Sequence, residues 1–482
     1  MSRFRVPLLA SLLALAACTV GPDHAAPVTP SAAAGAFIGA DRPVFTAQEI
    51  REDWWRLYQD PVLDSLIEDA FRANTDLRVA TANLRRARAL LRESRAGRLP
   101  QTGIGAGATY GRLPENQVPA NIDREDWSFD AGLDISYEVD LFGRVSRTIE
   151  AARADAEAVD ALRRAVQVAV VADTVRAYTD AAAAGERLEV AERSLALIDQ
   201  TLRVTTRRFE AGLGTRLDVV RVTSLRDQQR AELPPLRAER DGALFRLATL
   251  TGRAPAELPP SAGARRTIVQ LDQAIPVGDG ATLLARRPDV REAERRLAAE
   301  TARVGVATAD LYPRITLGGS VGATGPSLGD LFTGGPFRFL LGPLISWSFP
   351  NQEAIRARIR AAEASAEGAL ANFDGTVLRA LQETETALSA YRHELDRRVA
   401  LADARNAAQR AAEIERARLR AGRANSLEVL DAERTLAEAE AVLVQSEARI
   451  TSAQIDLFRA LGGGWQREVV TAEANVRSPA QN

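Results

Sequence analysis

Two stretches of the chain, RFEAGLGTRLDVV at 208–220 and RLRAGRANSLEVL at 418–430, place a glycine turn between two helix-forming runs at an offset of 210 residues. At the same offset, EAARADAEA from Glu150 matches RAAEASAEG from Arg360, and Ile135-Ser136-Tyr137 matches Ile345-Ser346-Trp347. Upstream, RLPQTGIGAGATYG from Arg98 and LYPRITLGGSVGATG from Leu311 bring Pro100 and Pro313 into register at an offset of 213. About 170 residues are therefore duplicated in tandem, one supersecondary unit used twice. The repeats are assigned to 51–265 and 266–465.

Residues 144–209 contain no proline and a single glycine, Gly185, which predicts one continuous helix. At 1.5 Å per residue it would extend on the order of 100 Å. Its counterpart is 353–419. Each long helix reverses at a tip turn, 210–216 or 420–426, and returns as a shorter helix, 217–250 or 427–461, of which only the first carries a kinking Pro234-Pro235. Gly212 and Gly422 suit the left-handed residue that closes a helix. Asp218 and Glu428 fall in the first turn of the next helix, where the dipole favours carboxylates, and that preference alone accounts for them at this level. A further helix precedes each hairpin, Pro61–Leu99 in the first repeat and Pro288–Tyr312 (288–312) in the second.

Between these helices lie two β-hairpins, 101–140 and 313–349. In WSFDAGLDISYEVD the residues Trp127, Phe129, Ala131, Leu133, Ile135, Tyr137 and Val139 alternate with Ser128, Asp130, Gly132, Asp134, Ser136, Glu138 and Asp140. This period of two gives the strand one apolar and one polar face. FRFLLGPLISWSF places Phe337, Phe339, Leu341, Ile345, Trp347 and Phe349 on one side, with Arg338, Gly342, Ser346 and Ser348 on the other. The partner strands are Thr102–Tyr110 and Ile315–Ala323. A soluble hairpin with one buried face has the same pattern. The neighbouring sequence, however, is helical and offers nothing to cover the apolar face, whereas lipid does. Four strands cannot close a barrel, and an open edge cannot stand in hydrocarbon, so several copies must assemble.

Composition restricts the chemistry. Of 482 residues, 5% are aromatic, there are two histidines, His24 and His393, and one cysteine, and every basic residue is arginine. Metal clusters and disulfide frameworks need more ligands than this. The net charge of −2 excludes a general affinity for nucleic acid. No histidine stands beside a candidate nucleophile, and Gly103, Gly105 and Gly107 read as strand residues rather than a phosphate loop. No catalytic residue, cofactor or metal is assigned.

The cysteine follows Arg3, Arg5 and the apolar run Leu8–Ala17, and Leu15-Ala16-Ala17-Cys18 reads as a lipobox. The run is too short to span a bilayer, so 1–17 is assigned as a signal peptide and Cys18 as the lipid-bearing amino terminus. Thr19 stands where an inner-membrane retention signal would place aspartate, which favours the outer membrane. Residues 18–50 are assigned as an extended strap, and 466–482 as a flexible tail.

Three segments carry a resemblance that covers nearly everything from Cys18 to about Trp465: DWWRLYQDPVLDSLIEDAF at 53–71, ARRPDVREAERRLAAETARVGVATADLYPRITL at 285–317, and AGRANSLEVLDAERTL at 421–436. The chain resembles the outer membrane factors, the TolC-like exit ducts, and in particular their NodT-like lipoprotein branch. The resemblance implies a mainly α fold with a transmembrane β-barrel portion, in which a homotrimer completes a twelve-stranded barrel above a periplasmic helical barrel. It implies a passive efflux duct in the outer membrane of a Gram-negative bacterium, served by a periplasmic adaptor (membrane fusion) protein and an inner-membrane pump of RND type. It also implies a periplasmic gate at Asp218, Arg418, Leu427, Glu428 and Asp431, with Leu427 as an apolar plug and Asp431 with Arg418 tying neighbouring helices. Leu419 and Ala424 depart from the tyrosine and arginine tethers of some members. Two alternatives remain: a duct for type I protein secretion, which has the same architecture, and a trimeric adhesin, whose strands would lie together at the carboxyl end.

Overall fold

The computed structural model describes residues 19–28, 33–112, 114, 124–271, 273–333, 335, 337–423 and 426–464. The assigned signal peptide, Cys18, Ala424 and the tail lie outside them. In chain order the elements are β1 (Phe45–Thr46), α1 (Pro61–Ala73), α2 (Thr75–Ala96), β2 (Gln101–Arg112), β3 (Glu125–Val139), α3 (Arg144–Glu210), α4 (Arg216–Ala231), α5 (Leu233–Leu250), β4 (Ile275–Pro276), α6 (Gly280–Arg286), α7 (Pro288–Ala309), β5 (Arg314–Gly325), β6 (Phe337–Ser346), α8 (Glu353–Arg420) and α9 (Ser426–Ala460). Two compact units divide the chain, and the division cuts through both sequence repeats rather than separating them.

The first unit, whose described residues are 19–28, 83–112, 114, 124–160, 292–333, 335 and 337–375, holds a four-stranded antiparallel sheet in the order β2-β3-β5-β6. The register carries the alternation across all four strands: Ile104 faces Leu133, Leu133 faces Val321, and Val321 faces Phe339. One residue along, Asp134 faces Gly103 and Ser320. The sheet therefore has one continuous apolar face and one polar face. Leu340 and Leu344 depart from the pattern, because they face Ser320 and Thr316 on the polar side. β6 also ends at Ser346, short of the expected 349.

Aromatic pairs mark both ends of the sheet. Tyr110 and Trp127 lie 5.5 Å apart at one end. At the other, Phe142 stacks on Tyr312 at 4.6 Å and Trp347 on Phe349 at 4.7 Å. Such girdles suit the two membrane–water boundaries, where amphipathic rings are favoured. The step from β3 into α3 is held by the Asp140 carboxylate, which accepts from the backbone N–H groups of Val145 (2.8 Å) and Ser146 (2.7 Å) and so satisfies two free helix-start donors. α7 ends at Ala309, three residues before the expected 312.

Residues 19–24 are seated against this unit. The Val20 N–H donates to the Phe142 carbonyl (3.3 Å), and the Arg147 guanidinium donates to the Val20 carbonyl (3.3 Å) and to Asp23 (2.6 Å). Gly21 adopts φ +91, and a Cβ there would lie 2.4 Å from the Gly305 Cα, so only glycine fits.

The second unit, with described residues 33–82, 161–271, 273–291, 376–423 and 426–464, contains the main apolar core. A 3-10 turn at Trp54–Tyr58 buries Trp54, Trp55 and Tyr58 against Leu63 and Ile67 of α1, Val175 and Tyr178 of α3, and Leu457 and Phe458 of α9. Trp54 stacks on Phe458 at 4.5 Å. The buried Asp60 caps α1 through the Val62 N–H (3.0 Å) and accepts from Tyr178 Oη (2.7 Å) and Arg265 (2.9 Å), which satisfies a carboxylate that burial would otherwise penalise.

Three expectations change here. The helix expected over Pro61–Leu99 is two helices, because the Asn74 side chain accepts from Asp76 N–H (2.9 Å) and Leu77 N–H (3.1 Å) as an N-cap and donates to the Leu250 carbonyl (3.0 Å). The return helix 217–250 is broken at Glu232, immediately before Leu233-Pro234-Pro235, and the proline ring accounts for the break. The strap 18–50 is not uniformly extended. Ile38–Ala40 forms a 3-10 turn whose Ile38 and Gly39 N–H groups donate to Glu385 (2.7 and 2.9 Å), Phe45 pairs in parallel with Ile275, and Phe37, Phe45 and Ile50 enter the core.

Candidate gate at the two helix tips

The tips belong to the second unit and share one backbone solution. At the first, Gly212 N–H donates to the Phe209 carbonyl (3.0 Å) and Leu213 N–H to the Arg208 carbonyl (2.7 Å). At the second, Gly422 N–H donates to Leu419 (3.0 Å) and Arg423 N–H to Arg418 (2.8 Å). Both glycines have φ 72, and this bond pair is the Schellman closure, in which the left-handed residue must lack a Cβ to avoid strain.

The side chains then differ. Thr215 and Asp218 form a capping box: Asp218 accepts from the Thr215 N–H (3.0 Å) and hydroxyl (2.7 Å), and Thr215 Oγ accepts from the Asp218 N–H (3.2 Å). The Thr215 hydroxyl, followed by its backbone N–H, holds the Asp218 carboxyl below the usual carboxylate range. Because the folded group binds its proton more weakly, the cap contributes fully above the ordinary aspartate range and is lost as pH falls toward the depressed value. Within one chain Asp218 is thus a helix starter.

At the second tip Arg418 donates to Glu415 (2.7 Å) and approaches Glu428 at 3.9 Å, while Asp431 accepts from Arg434 (2.8 Å). Arg418 and Asp431 are not paired with each other within the chain. Leu427 is half exposed, as is its repeat partner Leu217. Leu419 is buried against Val429 and Val204, an apolar contact that joins the two tips, supplemented by Arg208 donating to the Leu419 carbonyl (3.2 Å).

The strongest tie at the tips lies at residues that the sequence reading did not select. Arg416 of α8 donates to Glu433 of α9 at 2.6 Å, and the Glu433 side chain is only 4% exposed. The corresponding positions of the first repeat are Thr206 and Thr223, so the brace is confined to one tip. The signal was available as an Arg in the last turns of the helix before Gly422 and a Glu in the first turns of the helix after it. Glu433→Ala leaves Arg416 half-buried without its counter-charge, and the expected cost is about 2 kcal/mol, below the roughly 3–5 of a fully buried pair. Amide hydrogen exchange at 412–419 and 429–436 should quicken accordingly, with Glu433→Gln intermediate. Unchanged exchange would show the brace to be dispensable.

Among the described residues, no helix is long and apolar enough to cross a membrane, and no group of His, Cys, Asp or Glu is placed to hold a metal ion. An amphipathic sheet whose two edge strands are unpaired among the described residues, and paired glycine-closed helix tips, are features of a channel subunit. The family model for outer membrane efflux proteins matches residues 66–253 and 281–463, and the chain belongs to that family. It is 32% identical to the outer membrane protein OprJ of Pseudomonas aeruginosa over 465 residues, covering 96% of each chain. It is 29% identical to the antibiotic efflux pump outer membrane protein ArpC of Pseudomonas putida, covering 99% of this chain and 100% of that one. The solved outer-membrane channel OprN superposes with a TM-score of 0.88 at 37% identity, over 93% of this chain and 100% of that one. The TolC-like fold, the outer-membrane location and the role as an efflux channel follow from these relations.

Proposed function

We propose that three copies of this chain close a twelve-stranded barrel and that the resulting duct passively carries cargo delivered by an inner-membrane RND-type pump through a periplasmic adaptor. The observation that carries this reading is the sheet itself, whose β2 and β6 edges have no partner strand among the described residues while one face is apolar across all four strands. Two copies would close a barrel of about eight strands with a filled interior, and three give about twelve with a lumen. ArpC is named as part of an antibiotic efflux pump, which supports antibiotic-like cargo here over a secreted protein. Energy enters at the pump, so no catalysis is required of this chain. Removal of the gene should increase susceptibility to several antibiotics with the secreted proteins unchanged. Loss of one secreted protein at unchanged susceptibility would assign the duct to type I secretion instead.

The same reading includes a lipid anchor of the palmitate class at Cys18, the residue that precedes the seated segment in sequence. Cys18→Ser should remove fatty-acid label while the trimer stays in the outer membrane, because the apolar sheet face supplies insertion on its own. Persistence of label in that variant would refute the anchor.

A further inference from the structure

Three groups on the polar face of the sheet form a closed set. Arg338 of β6 donates through Nη2 to Asp130 Oδ2 (2.6 Å) and through Nε to Thr324 Oγ1 (3.0 Å), and Thr324 Oγ1 donates to the same Asp130 oxygen (2.7 Å). Asp130 lies on β3 and Arg338 on β6, with β5 between them. Two strand spacings of about 4.8 Å separate such residues, so the guanidinium reaches its partner only by lying along the sheet. The floor it crosses is glycine: Arg338 faces Gly322 in the register, Gly322 faces Gly132, and Gly132 faces Gly105. A Cβ built on Gly132 would lie 3.7 Å from Arg338 Nη2, so any longer side chain there would take the guanidinium's place.

In the closed barrel this face lines the lumen. Three arginines projecting inward would form a cationic ring, and rings of arginine or lysine make a pore select anions. Held flat and paired, the same arginines leave the lumen wide and cancel their own charge. We propose that Asp130 and Thr324 are specificity-determining residues that latch Arg338 to the wall, keeping the exit open to cargo of either charge. This rests on the barrel reading above.

The test uses purified full-length trimer in lipid nanodiscs and labelled inositol hexakisphosphate at low ionic strength, with resistance to SDS recording assembly. Asp130→Asn should free Arg338 and strengthen binding of the hexaanion by roughly tenfold over wild type, the scale on which a focused field concentrates a counter-ion. Adding Arg338→Gln to Asp130→Asn should return binding to the wild-type level. Thr324→Val, which leaves the carboxylate in place, should give a smaller rise and serves if Asp130→Asn fails to assemble. The latch is overturned if an assembled Asp130→Asn trimer, or in its place Thr324→Val, binds no more than wild type, or if the excess survives Arg338→Gln. Wild-type protein that forms no SDS-resistant trimer would overturn the barrel reading, and the latch with it.

Discussion

Arginine at Leu133 should abolish the SDS-resistant trimer in the outer membrane, whereas arginine at Asp134, the next residue, should leave it intact. Leu133 stands in a row with Ile104, Val321 and Phe339, so the apolar surface is continuous on both sides of it. A charge on the lipid face near mid-bilayer costs about 2–4 kcal/mol, and three chains bear it at once. Asp134 lies between Gly103 and Ser320 on the opposite face, where water solvates a charge. Ile135 shares the parity of Leu133, and Ile135→Arg should behave likewise. Equal trimer yields from Leu133→Arg and Asp134→Arg would remove the assignment of the two faces.

The second large effect is expected at the tips. Leu427→Ala combined with Asp431→Ala should raise resting conductance in planar bilayers and sensitise cells to large antibiotics, with trimer yield unchanged. Leu427 is half exposed in a single chain, so its apolar surface is free to meet its copies around the axis. Asp431 is 68% exposed and accepts from Arg434, one helical turn away. An exposed pair of this kind contributes about 1 kcal/mol or less, so it yields readily to a better partner in a neighbouring chain. Arg434→Ala separates the two roles. It breaks the local pair and leaves the carboxylate available, and it should not open the duct. If the double variant conducts like wild type under conditions where wild type is closed, Leu427 and Asp431 have no part in the gate.

Much of this architecture was legible because each feature is written twice. The long helices end where the glycine turns predict, α3 at Glu210 and α8 at Arg420, since a left-handed residue interrupts an otherwise unbroken helical run. The strands show themselves by a period of two, which helical sequence cannot imitate over seven alternations. What escaped reading depends on partners distant in the chain. Asn74 looks like an ordinary helical residue until its side chain is seen to cap α2 and to bond Leu250, yet the following Thr75 and Asp76 were already a helix-start signal. Phe45 meets Ile275, some 230 residues away, and no local pattern announces that pairing. The gate was legible as a place and not as a set of bonds. Asp218 turned out to be engaged by Thr215, and the Arg416–Glu433 brace, half-buried on its arginine side, carries no helix-start signature to draw attention to it.

The free edges of the sheet have a consequence for inheritance. Because β2 and β6 have no partner strand among the described residues and are paired by other copies in the closed barrel, one defective chain should leave its two sound neighbours with an unclosed wall. In a cell that makes intact and Leu133→Arg chains in equal amounts, random assembly into threes leaves roughly one closed duct in eight that is free of the defect. A recessive lesion in a monomeric enzyme would halve activity, whereas here the defective copy should behave as dominant. Selection on this gene therefore acts on the worst chain in each assembly rather than on the average one.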